Sequence, residues 1–368
     1  MFLDYLTLSP EIFGIDISDL SLKIIKLKKK RGSLALASFG EMEISPGIIE
    51  AGEIKDENAL AETIKKALSA VKGKKISAKY LIASLPEEGA FLRVIQMPLM
   101  AKEEVEKAVY FEAENYIPVP LEKVYLDAQV INSALPSSNH LDVLIAALPK
   151  KTVDSYSVSF QKAGLKPVVF EVESQAVARS LVLGEKSSET LLIIDIGSTR
   201  SSFIIFSGSS IRFTTSLPIS SQKFTKSIAS RLGMSDKDAE QLKEKYGIEG
   251  ERGKRIFDAL SADLADLVSQ IKKYLDYYQT HFGHEHLFQK NAKPELKPAV
   301  KKIILCGGGA NLNGLDGFLS QGTKLQVVLG NPWANILPRP LKEVPELPYK
   351  ESLKYTTALG LALRGVNL

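Results

Sequence analysis

The chain has 368 residues, 45% hydrophobic and 24% charged, the composition of a soluble globular protein long enough for about two cores. Lys and Arg number 47 against 43 Asp and Glu, and the surplus of +4 is dispersed among acids, so no basic stripe marks a nucleic-acid footprint. Cys306 is the single cysteine, which excludes an intrachain disulfide and the four-Cys zinc patterns, and no apolar run approaches the roughly 18 residues of a membrane span.

The first residues, MFLDYLTLSPEIFG, lack a basic start and carry Asp4 inside their apolar stretch, which makes a poor secretory leader. GIDISDLSLKIIKL, from Gly14, then predicts a strand ending at Asp16, a short polar turn and a second strand. A KKKRGS turn leads into a third strand, LALASFGEMEI. ENALAETIKKALSAVKG spaces Leu60, Ile64, Leu68 and Val71 as a helix, and Lys79 to Leu85 reads as a buried strand. From Pro86 to about Leu165 the pattern becomes strand, helix, strand, strand, helix, a small α+β block inserted into the first lobe. LKPVVFEVE returns to the sheet, SQAVARSLVLG is a helix, and GEKSSET is the polar boundary of the lobe.

IIDIGSTRSSFIIF, from Ile193, repeats the plan of the first hairpin around Asp195 and continues into a third strand, IRFTTSLPI. Two such units opening two half-chains predict two similar lobes. Helices follow at SQKFTKSIASRLG, SDKDAEQLKEKYG and from about Arg255 to His281, the last with a core stripe of Leu264, Leu267, Val268, Ile271 and Leu275. KKIILCGGG is a strand entering a glycine turn, with NLNGLDGFLSQG as the helix it opens near Asn311. A Pro-rich stretch containing Trp333, a packing anchor, precedes the last helix, ESLKYTTALGLALRG. The expected division is 1–85 with 166–186 as the first lobe, 86–165 as the inserted block, 187–349 as the second lobe, and 350–368 as a helix returning to the first.

A turn of Gly, Ser and Thr lets backbone N–H groups approach phosphate oxygens, and a carboxylate at the preceding strand end can hold Mg²⁺ through its waters. One such hairpin is common; two in register, one per lobe, point to phosphate binding. Gly307, Gly308 and Gly309 do not make a dinucleotide fingerprint, because its third glycine would fall on Leu312 and no acidic residue closes a second strand. The P-loop pattern is absent from the sequence. His281, His284 and His286 have side chains able to bind zinc or nickel, but they lie in a polar loop and read as solvated. Lys28, Lys29, Lys30 and Arg31 read as an exposed hairpin turn.

GIDISDLSLK, IIDIGSTRSSF and IILCGGGANLNGL resemble, in order, the phosphate-1, phosphate-2 and adenosine motifs of the actin, sugar-kinase and heat-shock-chaperone ATPases. GEIKDENALAETIKKAL, EAENYIPVPLEKVYLDAQV, LKPVVFEVESQAVARSL, IKKYLDYYQ and GLALRG are similar to segments of the PilM family of type IV pilus assembly proteins. The resemblance implies a two-lobed, actin-like (ribonuclease H-like) α/β fold with an α+β subdomain inserted in the first lobe, and ATP and Mg²⁺ as cofactors. It places Asp16 and Asp195 at the Mg²⁺. Ser18, Lys23, Gly197, Ser198 and Thr199 fall at the phosphates, and Gly307, Gly308, Gly309 and Asn311 against the adenosine. Glu173 stands where related ATPases position the attacking water.

The first hairpin departs from the family at Ser18-Asp19, where Gly-Ser is usual. A carboxylate about 4 Å from a phosphate charge costs roughly 4 kcal/mol at an effective dielectric near 20, unless Asp19 points outward. Hydrolysis is therefore expected to be weak or absent. The implied partners are the N-terminal cytoplasmic tail of PilN and the pilus inner-membrane complex, with the inserted block helping to hold that tail. The implied location is cytoplasmic, peripheral to the inner membrane through the partner. An FtsA-like cell-division protein and a small-molecule kinase of the same superfamily remain alternatives. The first is disfavoured because the chain stops at GLALRGVNL without an amphipathic extension, and the second because no catalytic Asp for a substrate hydroxyl stands out.

Overall fold

The computed structural model describes residues 10–30, 33–131, 140–281, 299–338, 340–341 and 344–368. The chain opens with an antiparallel meander of β1 (Ile12–Ile17), β2 (Ser21–Lys30) and β3 (Ser33–Glu43). The small hairpin of β4 (Ile49–Glu50) and β5 (Glu53–Ile54) comes next, then α1 (Glu57–Ser69), β6 (Lys72–Gly73) and β7 (Tyr80–Leu85). Next come β8 (Phe91–Pro98), α2 (Lys102–Ala113), β9 (Val124–Ile131), β10 (His140–Pro149), α3 (Lys150–Lys162), β11 (Lys166–Val172) and α4 (Glu173–Leu181). A second meander of β12 (Ser187–Ile196), β13 (Ser201–Gly208) and β14 (Ser210–Leu217) precedes α5 (Ser221–Leu232), α6 (Asp236–Tyr246) and α7 (Gly250–His281). The remaining elements are β15 (Val300–Cys306), α8 (Leu315–Thr323), β16 (Gln326–Leu329), α9 (Tyr349–Ser352) and α10 (Thr356–Asn367). No helix among the described residues is long and apolar enough to cross a membrane.

The chain divides into two units, one of Met1–Gly89, Leu148–Leu181 and Pro332–Leu368, the other of Ala90–Ala147 and Val182–Asn331. The first contains the strand order β11-β7-β1-β2-β3-β6, and the second β16-β15-β12-β13-β14-β8-β10-β9. In each, the opening strand of the meander runs antiparallel to its hairpin partner and parallel to a later strand on its other side, β7 beside β1 and β15 beside β12. The repeat seen in sequence is thus a repeat of topology, and the fold is the two-lobed actin-like α/β type.

Local chemistry sets the element ends. The Asp56 carboxylate caps α1 by accepting from the Asn58 and Ala59 N–H groups at 3.0 and 2.9 Å, and Leu60, Ala61, Ile64 and Ala67 turn inward. Ser220 caps α5, which ends at Gly233 in the left-handed region that favours glycine. The core stripe of α7 is as expected, with Leu264, Leu267 and Ile271 fully buried, although the helix begins at Gly250, earlier than its apolar pattern.

The first unit is built around α10, buried from Thr356 through Leu363. Gly14 lets this helix lie on β1, for a Cβ there would sit 2.6 Å from the Ala358 carbonyl oxygen. Gly360 lets it lie on α4, for a Cβ there would come within 1.9 Å of the Ala176 carbonyl oxygen. The buried Glu171 carboxylate accepts from Arg179 of α4 and Arg364 of α10, tying both helices to β11. Trp333 packs in this unit beside Ile25, Phe39 and Tyr355, the anchor its sequence context suggested.

The inserted block, expected over 86–165 as a single body on the first lobe, is divided between the units. Its strands extend the second sheet. Phe213 of β14 pairs with Arg93 of β8, and the fully buried Arg212 donates to Asp142 of β10 at 3.1 Å. Its last helix, α3, instead packs on α1 and β11 in the first unit, with Phe160 against Phe170 and Lys162 bridging Glu57 at 2.8 Å. The reason is pairing that a linear reading cannot see: β8, which carries β10 and β9 beyond it, finds its hydrogen-bonding neighbour in β14, far along the chain.

Gly360→Ala is expected to destabilise the protein by about 1–3 kcal/mol, since backbone must shift to admit the methyl group. Gly317→Ala, a helix position where a Cβ would meet only the Glu249 carboxylate at 3.8 Å, serves as the control. It should be neutral or stabilising by up to about 1 kcal/mol. Urea unfolding midpoints of the two variants measure the difference.

Candidate functional site

In the first unit, β1 delivers Asp16 to the mouth of the hairpin, where it stands opposite Lys23 in the β1–β2 register. Asp16 is buried, and Ser84 of β7 donates to its Oδ1 at 2.8 Å while accepting from the Ile17 N–H at 3.2 Å. Burial pushes the Asp16 carboxyl above the usual carboxylate range, against the Lys23 charge and the Ser84 hydrogen bond, which both pull it down. The Lys23 ammonium donates to Ser21 at 2.8 Å and lies 3.9 Å from Glu41. Ser18 closes the turn, its N–H and hydroxyl both bonding the Ser21 carbonyl at 2.9 and 3.0 Å.

Asp19 resolves the concern its sequence raised. Its two carboxylate oxygens accept from the Ala51 and Gly52 N–H groups at 3.1 and 2.9 Å, in the turn between β4 and β5. Both of those residues have positive φ, which aims successive N–H groups at one anion. The departure from Gly-Ser therefore gives the hairpin a tether. Tyr156 of α3, also buried, donates to the Gly52 carbonyl at 3.4 Å. Its hydroxyl is held well above its usual range, first by burial and then by the charges of Glu173, Asp19, Glu88 and Asp16. Glu173 itself is half-buried at the first position of α4.

In the second unit, β12 delivers Asp195, and the glycine turn is packed directly on it. A Cβ on Gly307 would lie 2.2 Å from Asp195 Oδ1, and one on Gly309 would lie 2.3 Å from Ile196 Cγ2. Gly307 has φ +81, and Gly308–Asn311 form a 3₁₀ turn. The α-helix expected near Asn311 begins only at Leu315, after the left-handed Gly314. The turn after Asp195 is closed by the Gly197 N–H on the Arg200 carbonyl at 2.9 Å. Its Gly197 and Ser198 carbonyls accept from Ser221 and Gln222, the first residues of α5, at 3.0 and 3.1 Å. Thr199 opens onto a cavity of about 720 Å³ along α5, where Lys223 and Lys226 contribute positive charge.

Three supporting residues escaped the sequence reading. Ser84 is the single polar residue in the buried run LIASL of β7, which is a signal legible in the sequence. Tyr156 carried none. Lys243, in α6, is buried, and its ammonium meets Ser221, Thr225 and Glu240 at 2.7 to 3.1 Å, fixing α6 to the turn of α5 that braces Gly197. Each set thus suits a phosphate-bearing ligand: a carboxylate at a strand end, a tight polar turn and, in the second, a glycine turn seated on that carboxylate. A hard cation arriving with phosphate oxygens and waters needs no more than one or two such carboxylates. His284, His286 and Arg31 lie outside the described residues, as does the His281 side chain.

A family model described as type IV pilus assembly protein PilM matches residues 14–366. Among solved structures, a PilM-PilN type IV pilus biogenesis complex is similar with 27% identity and a TM-score of 0.80, over 97% of this chain and 99% of that one. The ethanolamine utilization protein EutJ from Carboxydothermus hydrogenoformans shares the fold at 12% identity and TM-score 0.54, over 95% and 88% of the two chains. MreB5 of Spiroplasma citri bound to ADP does so at 12% identity and TM-score 0.51, over 95% and 94%.

The environment of Asp16 gives a sign that can be measured. With its folded value raised, the ionised side chain opposes folding, so stability is lost as pH climbs from the ordinary carboxylate value of 3.8 through the raised one. Asp16→Asn should therefore melt higher than the parent protein near neutral pH, with the gap closing below that ordinary value. Thermal melts of both proteins across this range, without nucleotide, check it; a lower melting temperature for the variant near neutral pH is the opposite outcome.

Proposed function

The chain belongs to the type IV pilus assembly protein PilM family, and from that premise we propose that it is an ATP-binding scaffold that engages the N-terminal cytoplasmic tail of PilN. The observation that carries the nucleotide reading is the seating of Gly307 on Asp195, where the missing Cβ lets the glycine turn pack directly against the carboxylate at the strand end. Asp195, Gly197, Ser198 and Thr199 would serve the phosphates. Gly307, Gly308, Gly309 and Asn311 would serve the nucleoside. Asp16, Ser18 and Lys23 form the first unit's set, and Asp16 and Asp195 are the Mg²⁺ candidates. A buried carboxylate carried at a cost to folding supports this reading for Asp16, since a bound cation would offset that cost. The MreB5 structures that share the fold are bound to ADP and to AMPPNP, which agrees with it.

The partner reading rests on the similarity to a PilM-PilN complex. A scaffold needs occupancy more than turnover, because bound nucleotide stabilises the state that binds it according to its saturation. The protein would work on the cytoplasmic side of the inner membrane, held there by PilN. Glu173 is the candidate water-positioning residue, and slow hydrolysis is the expectation.

Titration with a fluorescent ATP analogue in the presence of Mg²⁺ tests the nucleotide reading. Asp195→Ala should weaken binding at least about tenfold, a loss of 1.4 kcal/mol or more. Asp19→Asn should leave it within about threefold, because that carboxylate is already engaged by Ala51 and Gly52. Undiminished binding by Asp195→Ala would sink the assignment, and fast phosphate release abolished by Glu173→Ala would overturn the scaffold reading. The partner reading is tested separately by capture of the full chain on an immobilised PilN tail peptide.

A further inference from the structure

Sheet edges left open invite other strands, and proteins blunt them with short strands, Lys, Pro or bulges. Three of the four strands that end the two large sheets are short or carry blunting residues. β16 has four residues, β6 has two and contains Lys72, and β11 carries Lys166, Pro167 and a register shift. β9 ends the second sheet with eight residues, VYLDAQVI, containing neither Lys nor Pro. Among the described residues no strand pairs with its outer side. Along β9, Tyr125 is 48% exposed and Val130 41%. The neighbouring helix α2, which packs on β9, adds Tyr110 at 47% and Phe111 at 73%.

The exposed charge of the segment from α2 into β9 is opposite in sign to that of the whole chain. Between residues 104 and 127 the exposed acids are Glu104, Glu106, Glu112, Glu114, Glu122 and Asp127, against exposed Lys107 and Lys123. The whole chain carries +4. We propose that the β9 edge is a docking site for an extended segment of a partner protein, with Lys or Arg alternating with apolar residues, which adds to the second sheet as a further strand. Main-chain hydrogen bonds to the open edge would supply the affinity. Contacts with Tyr125 and Val130 would supply the apolar selectivity, and the acids would exclude anionic segments. The inference goes beyond the PilN reading, which it neither requires nor tests.

The probe is a capped octapeptide of alternating Lys and Val, titrated into the full chain. Bound peptide should slow amide exchange across 124–131. Binding should fall at least about tenfold for a peptide N-methylated along one edge, and for one in which Glu replaces Lys. The double variant Tyr125→Lys, Val130→Lys should lose binding by a similar factor while keeping the parent melting temperature, because both side chains are exposed. Binding by that variant or by the N-methylated peptide within about twofold of the parent pair would overturn the proposal. So would a dimer of the parent protein that the lysine variant dissolves, since the edge would then belong to a second copy of this chain.

Discussion

In the first unit α10 packs at backbone distance, reaching β1 over Gly14 and α4 over its own Gly360. One element thereby fixes both the strand that ends in Asp16 and the helix that starts at Glu173. Atoms held at backbone-to-backbone distance leave no side chain to absorb a shift, so small displacements are resisted by hard contacts. The Glu171 carboxylate, bonded by Arg179 and Arg364, adds a polar lock to the same junction. Losing one member of such a buried cluster leaves a charge uncompensated, which is why ion clusters of this kind are costly to break piecemeal.

The second unit solves the same positioning problem with different parts. There the glycines are in the turn, and Asp195 is pressed against Gly307 without an intervening side chain. Its buried charges are likewise matched, Arg212 with Asp142 and Lys243 with Glu240. Asp16 is the exception, a carboxylate whose burial outweighs the help it receives from Lys23 and Ser84. An arrangement that burdens the fold where ligand chemistry is expected is common in binding sites, where stability and function compete.

What the sequence made legible was local. The two Asp hairpins, the glycine triplet and the stripe of α7 all declare themselves within windows of a dozen or so residues; the internal repeat pointed to two similar lobes, and the resemblance of those motifs to the actin-like ATPases implied the fold class. What it hid was tertiary. β8 joins β14 where Arg93 pairs with Phe213, β10 is tied to β14 by Asp142 meeting Arg212, and no local pattern announces either. Asp19 looked like a repulsive charge because its partners, Ala51 and Gly52, lie in a different turn. Helix boundaries near glycine were misjudged for a related reason: Gly250 and Gly314 sit where φ is positive, and such positions start or stop helices without changing the apolar periodicity.

The first unit is assembled from three separated pieces of chain, with α10 inside it and the uninterrupted stretch Val182–Asn331 belonging to the other unit. Synthesis runs from the N-terminus, so β1 and β2 leave the ribosome with their apolar faces long before the helix that covers them exists. The second unit can close its main core, from β12 to β16, while the first still waits for its last helix. The chain therefore folds out of its own order, and contacts of such high sequence separation are slow to form. Between the emergence of β1 and the arrival of α10, the apolar faces of β1 and β2 lack the helix that covers them in the finished unit.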